Sequence, residues 1–293
     1  MNVAIYLPLL LALPLIVVAR RIAGRGAPGT AARGLTAVSM VAALSSTWSL
    51  LLLALTLFDD VPPLAALDDH PVLEPPEPVP GPIALAAALL LAWGGVRLAV
   101  DLRRRVGTQR QLRAAGTPHA GLVVADWEAP LAIALPGRPG HLLITTGMLR
   151  WLDADERRVL FAHERAHLAH HHHRLVTAAA AAAALNPLLV PVRETVGYLV
   201  ERWADEEAAA AVGDRELAAR AVARAALATL APGPPAALGI HGGAAVQRVH
   251  ALGEPVPVRD RRILLGATIV AAGCLAAGTV ATVDFVALAR AWL

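Results

Sequence analysis

Four stretches of mostly apolar residues, at about 3–19, 36–58, 82–100 and 263–285, limit what this chain can fold into more than any other feature. A bilayer core about 30 Å thick is crossed by roughly 17–25 apolar helical residues, so each stretch is long enough for a transmembrane helix. Composition agrees, because 56% of the 293 residues are apolar and only 17% are charged. Ordinary globular chains run about 45–50% and about 25%. Disorder is excluded for most of the chain by the same figures, and the lone Cys274 excludes a disulfide framework. The first stretch has no basic segment before it and ends in Arg20 and Arg21, the wrong side for a cleavable signal peptide, so it is expected to stay as a span.

All 26 basic residues are arginine, and their positions set sidedness. Arg20, Arg21, Arg25 and Arg33 lie between the first two stretches, Arg103, Arg104, Arg105, Arg110 and Arg113 after the third, and Arg259, Arg261 and Arg262 before the fourth. Arginine collects on the cytoplasmic side of membrane proteins. The acidic, proline-rich segment 59–81 has none and is expected outside, as are both termini. No aromatic residues are interleaved with the arginines, so nucleic acid is not expected as a partner. Trp48 and Trp93 read as packing or interface anchors, and Cys274, within GCLAAG, as a packing residue.

Residues 1–100 then carry three transmembrane helices, 101–262 a cytoplasmic domain, and 263–293 a last helix with a short tail. In the domain, Ala129–Leu135 and His141–Thr146 are short β-like runs joined by PGRPG, which predicts a hairpin. The rest reads as alanine-rich helix.

The chemistry is concentrated in FAHERAHLAHHHHR, Phe161 to Arg174, which contains His163-Glu164-Arg165-Ala166-His167. Positions i and i+4 share a helix face one turn apart, so the two imidazoles can hold one zinc ion while Glu164 sits beside it as general base. The bland reading is a solvated histidine cluster, since six histidines fall between 163 and 173. A third ligand separates two forms of such a site. His173 has the spacing of HExxHxxGxxH, but His170 replaces the turn glycine. Glu201, in the later run ERWAD, is the favoured ligand, with Asp205 one turn on as hydrogen-bond support for a ligating histidine. Glu194 and Glu206 are the fallbacks. His170–His173 read as a solvated extension of the helix, with a second metal as the sharper alternative.

Together, HERAH, a hydrophobic stretch with Asn186-Pro187, and ERWADEEA resemble the membrane-embedded zinc peptidases of the BlaR/MecR antirepressor type, relatives of HtpX and the CAAX prenyl protease. Asp155-Glu156, the PLAIALPGRPGHLLITTGML hairpin and Arg248-Val249 after a glycine-rich link add to it. The resemblance covers roughly 101–262. It implies one zinc per chain held by His163, His167 and Glu201, Glu164 as base and Asp205 as support, at the cytoplasmic membrane face. The expected fold is a mainly α membrane protein, four transmembrane helices plus a cytoplasmic zincin-like α+β metallopeptidase domain with a small β-hairpin or sheet. The β-lactam sensors carry a large external domain after the last span. The sequence here ends at Leu293, so β-lactam sensing by this chain alone is not expected.

A further run, 176–192, is nearly apolar. Were it a single crossing, Glu201 would face the opposite side of the membrane from His163 and His167, which ligand distances of about 2 Å forbid. It is therefore expected to be a membrane-abutting helix with a Pro-bent end, or a re-entrant hairpin broken near Asn186, Pro187 and Pro191.

The expected activity is peptide hydrolysis, with an extended substrate added along one edge of the 129–146 hairpin. Arg248 and His250 are candidates to stabilise an oxyanion, although a structural salt bridge for Arg248 and a surface role for His250 are the stronger readings. Three functions are in view: regulatory proteolysis of a cytoplasmic repressor, an HtpX-like clearance of damaged membrane proteins, and a non-enzymatic metal-binding scaffold or sensor.

Overall fold

The first apolar stretch is helical where it is described. In the structure, a computed structural model describing residues 3–10, 12–24, 26–58, 79–230, 241–256 and 261–292, it contains a 3-10 turn (Val3–Tyr6), α1 (Leu7–Leu10) and α2 (Ala12–Ala23), and residue 11 between the two helices lies outside the described residues.

The second and third stretches form α3 (Pro28–Leu55) and α4 (Gly81–Arg113), the two helices among the described residues that are long and apolar enough to cross a membrane. The expectation of four spans is corrected to two. The fourth stretch lies in the last helix, where the described apolar run, Thr268–Val283, is shorter than a span. The expected external loop falls on residues 59–78, which lie outside the described residues apart from its end.

Small residues let α3 sit at the centre. Ala31, Ala32, Ala42, Ala43, Ser45 and Ser49 are buried along it, allowing neighbouring backbones to come close. Its hydroxyls turn back on the helix, Thr36 donating to the Ala32 carbonyl and Ser46 to that of Ala43, which is how a polar side chain is tolerated among apolar neighbours. By contrast α4 leaves Ile83, Leu85, Leu89, Leu90, Trp93 and Val96 exposed, a bare apolar face of the kind that meets lipid.

After α4 come β1 (Leu122–Ala125), β2 (Ala132–Leu135), β3 (His141–Thr145), α5 (Thr146–Trp151), α6 (Ala154–Ala169), α7 (His172–Leu185), α8 (Val190–Val212), α9 (Arg215–Leu230), α10 (His241–Gly253) and α11 (Arg261–Trp292). The expected hairpin is β2–β3, antiparallel with Ala132 opposite Ile144. A third strand, β1, pairs parallel with the far side of β3, which leaves β2 at an edge of the sheet. Cys274 is fully buried in the core around α3, as a packing residue, and Trp48 donates to the Thr282 hydroxyl, tying α3 to α11.

The run 176–192 is neither of the single helices considered. It is the tip of a hairpin, where α7 ends at Leu185, Asn186 caps a short 3-10 turn (Pro187–Leu189), and α8 returns alongside. Both arms pack on α3, and α7 also packs on α4. The Asn186 amide donates to Ser46 in the body of α3, and Gly94 of α4 lies so close to the Leu185 carbonyl that an added Cβ would stand 3.2 Å from it. The break at Asn186 and Pro187 is where the hairpin alternative expected it, and the run is not one continuous helix with a bent end.

Candidate metal centre

Helix α6 begins where the sequence can cap it. Asp153 accepts from the Glu156 backbone N–H and the Glu156 carboxylate accepts from that of Asp153, a reciprocal pair at the helix start. Such caps are worth about 1 kcal/mol. Glu156 is also buried and paired with Arg224 of α9 at 3.1 Å, which anchors the helix against the domain. From that start His163 and His167 fall on one face.

On α8 the facing residue is Glu201. His163 Nε2 lies 3.1 Å from His167 Nε2 and 3.4 Å from a Glu201 oxygen, and the other Glu201 oxygen lies 3.6 Å from His167 Nε2. Among the described residues these three form the group whose donor atoms converge for a metal. Ligands at about 2.0–2.1 Å in tetrahedral array stand about 3.3 Å apart, so three donors of these types at these separations fit a zinc ion.

Behind them stand the outer partners. Asp205, one turn beyond Glu201 and buried, lies 3.0 Å from His163 Nδ1. Arg248 of α10 grips Asp205 with Nε and Nη2, each at 2.7 Å, and reaches Glu201 at 3.2 Å. Arg248 is therefore tied into a salt-bridge network, and His250 is exposed. Glu206 pairs with Arg215 and Glu194 lies beside Arg193, both away from the converging donors. His173 lines a neighbouring cavity without joining the three donors.

The histidine run is not the solvated helix extension expected of it. His171 adopts a left-handed conformation (φ 53°), breaking the chain between α6 and α7, and His172 turns inward with 1% of its surface exposed. Its Nδ1 lies 3.0 Å from Nδ1 of His167, and its Nε2 is buried without a partner. His170 and His172 both lie against the Trp203 ring, and Arg33 of α3 covers that ring at 4.5 Å. Neither Trp203 nor Tyr198, whose ring lines the cavity beside Glu164, stood out in the sequence.

The charges follow from this packing. Burial pushes the Glu164 carboxyl up to about 7, partly opposed by the His163 charge and by the Ala134 N–H of β2, which donates to it. Burial would lower His163, but its bonds to Asp205 and Glu201 outweigh that and raise it to about 10. His167 is lowered to about 4, chiefly by burial. Desolvation would raise Glu201 and Asp205, yet His163 and Arg248 hold both below the usual carboxylate range.

Beside His163 and Glu164 runs the free edge of β2, and cavities of about 280 and 680 Å³ open on either side, both lined by His163, Glu164, Glu201 and Ala132. A buried carboxyl able to exchange a proton near neutrality, three converging ligands and an open strand edge suit hydrolysis of an extended peptide. The comparisons agree on the class of chemistry. No curated protein and no solved structure matches the chain. The family model described as Peptidase family M48 matches residues 100–263, more than half of the sequence and all of the site, and the chain belongs to that metallopeptidase family.

Proposed function

We propose that this protein is an integral-membrane zinc endopeptidase that cleaves protein substrates at the cytoplasmic membrane face, in regulatory proteolysis of a transcriptional repressor. His163, His167 and Glu201 are the ligands, Glu164 the general base, and Asp205 the group that orients His163. The observation that carries the reading is the set of donor separations, 3.1, 3.4 and 3.6 Å, with the Glu164 carboxyl on the same helix face region as an open strand edge. When bound, zinc would lower the pKa of a water to about 7 and polarise the scissile carbonyl.

The chain's own residues do the rest. The edge of β2 offers backbone groups to an extended substrate, which gives affinity with little dependence on side chains. Glu164, steadied by the Ala134 N–H, takes a proton from the attacking water and returns it to the departing amine. Asp205 accepts from His163 Nδ1 and so fixes which nitrogen faces inward, while Arg248 keeps Asp205 ionised and in place.

Sidedness rests on α3 and α4. Taken as two crossings, they leave Arg20, Arg21 and Arg33 on the same side as Arg103, Arg104, Arg105, Arg110 and Arg113, the cytoplasmic side by the usual arginine bias. The domain at 101–262 follows on that side, with the bilayer as its structural partner.

His172 belongs to this reading as a positioning residue for His167. Replacing His172 with alanine is expected to weaken zinc binding about 10–100-fold, the usual effect of removing an outer partner, while His172→Asp restores it. Competition with a coloured chelator measures this, and unchanged affinity in the alanine variant would show that His172 only packs on Trp203.

The biological role is tested by comparing cellular protein termini between wild type and Glu164→Gln. A DNA-binding repressor with a Glu164-dependent new terminus is the expected result. Scattered fragments of membrane proteins would assign the HtpX-like role instead, and identical termini would leave a metal-binding scaffold.

A further inference from the structure

We propose that the protein holds one anionic phospholipid in a cavity between α4 and the α7–α8 hairpin, the phosphate taken by Arg97, Arg104 and Arg193 and the acyl chains laid along the bare face of α4. The site shares with the reading above only the crossing of the bilayer by α4, and it needs neither the metal nor cleavage.

The stripe that forms it is written in the sequence. Trp93, Val96, Arg97, Val100, Asp101 and Arg104 follow one another at spacings that place them on one face of α4. All of them line a cavity of about 320 Å³, closed on its other side by Ala180 and Ala184 of α7 and by Arg193 of α8. Both alanines are buried, and their small side chains leave the room between the helices. In the other direction along α4 the stripe continues as the exposed Leu89 and Leu90. One end of it is therefore cationic and the other is hydrocarbon, which is the order of groups in a phospholipid.

The arginines of this cavity are not neutralised by their own chain. Arg97 lies over the Trp93 ring at 4.8 Å, and its Nη1 is buried without a hydrogen-bond partner. Neither Arg97 nor Arg104 has a carboxylate partner among the described residues, and Arg193 has its exposed neighbour Glu194 at 3.8 Å. Asp101, on the same wall, is held by Arg105 at 2.6 Å. A buried N–H left unpaired is costly, and phosphate oxygens accept from guanidinium groups with charge-assisted bonds. Depth points the same way. With a span at about 82–100, Arg97 stands in its last turn and Arg104 about two turns further on, at the level where tryptophan gathers and where headgroups begin. Basic pockets between helices on the cytoplasmic side are where anionic headgroups are taken. Arg103 and Arg110 are exposed and outside the cavity, so they contribute to sidedness without contributing to this site.

Native mass spectrometry of the full-length Glu164→Gln protein in detergent tests the proposal, with dioleoyl phosphatidylglycerol, dioleoyl phosphatidylcholine and glycerol phosphate as probes. One phosphatidylglycerol per chain should bind about tenfold or more tighter than phosphatidylcholine, given the number of arginines involved. Glycerol phosphate should not bind at the concentration that saturates the lipid. Arg193→Gln should weaken phosphatidylglycerol about fivefold, the usual share of one basic residue at an anionic surface. Arg97→Gln should weaken it more, and Arg103→Gln should leave it unchanged. Should Arg97→Gln aggregate, Arg193→Gln, on a different helix and half-exposed, carries the comparison with Arg103→Gln. Equal weakening by Arg103→Gln, or phosphatidylcholine bound as tightly as phosphatidylglycerol, overturns the site in favour of diffuse attraction to the membrane surface. Glycerol phosphate bound as tightly as the lipid overturns the lipid assignment in favour of a soluble anion. These outcomes leave the peptidase reading standing, whereas a protein that stays monomeric in water without detergent removes the bilayer crossing on which both depend.

Discussion

Glu164→Gln is expected to keep its zinc and lose between two and four orders of magnitude in peptide cleavage. The range is what a positioned general base contributes, about 10²–10⁴-fold. Glutamine preserves the volume and one oxygen acceptor for the Ala134 N–H. It cannot take up a proton. The ligands are untouched, because His163, His167 and Glu201 contact one another and Asp205 rather than depending on Glu164 for their geometry. Metal content by mass spectrometry and kcat/KM on a peptide substrate check the two halves separately. Full activity in the variant would exclude Glu164 as the base, and loss of metal would show that it is a ligand or supports one.

The second large effect is loss of the metal itself in Glu201→Ala. Two imidazoles remain, and Arg248 loses one of its two carboxylate partners. The fall in zinc affinity should exceed the about 10–100-fold typical of an outer partner. His173→Ala should bind zinc as wild type does, and the reverse pattern would transfer the third ligand to His173. The pH dependence of binding follows from His163. With its pKa raised to about 10 when no metal is present, it carries a proton at neutrality. A ligating imidazole must be neutral, so zinc affinity should climb as pH rises toward that value, and binding at pH 7 should release the proton.

Much of this architecture can be read in the linear chain where the determining interactions are local. His163 and His167 needed only the helical period, and the start of their helix is written in Asp153 and Glu156. The β2–β3 pair was visible because its turn and its two apolar runs are adjacent in sequence. What was misread depends on distant partners or on backbone chemistry that hydropathy ignores. The four residues of β1 pair with β3 across the fifteen residues 126–140 and are all apolar, with no alternation of their own. His172 looked like one more solvated imidazole, since nothing nearby announces that Trp203 and Arg33 will close over the run. In the 176–192 run, Asn186, Pro187 and Pro191 marked a break but fitted a bent helix end as well as a hairpin, because the packing on α3 and α4 that decides between them is distant in sequence.

The α7–α8 hairpin settles an angle as well as a distance. The chain leaves the His163–His167 face, travels out to Asn186, and comes back along α8 from Val190 to Glu201, about three helical turns. Each residue of helix advances 1.5 Å and rotates by about 100°. Inserting one residue between Pro191 and Glu201 would therefore barely alter how far the carboxylate stands from the tip, yet would swing it a quarter-turn or more off the two imidazoles. The returning arm behaves like a threaded screw, and its length can change only by near-whole turns if the third donor is to come round to the same bearing.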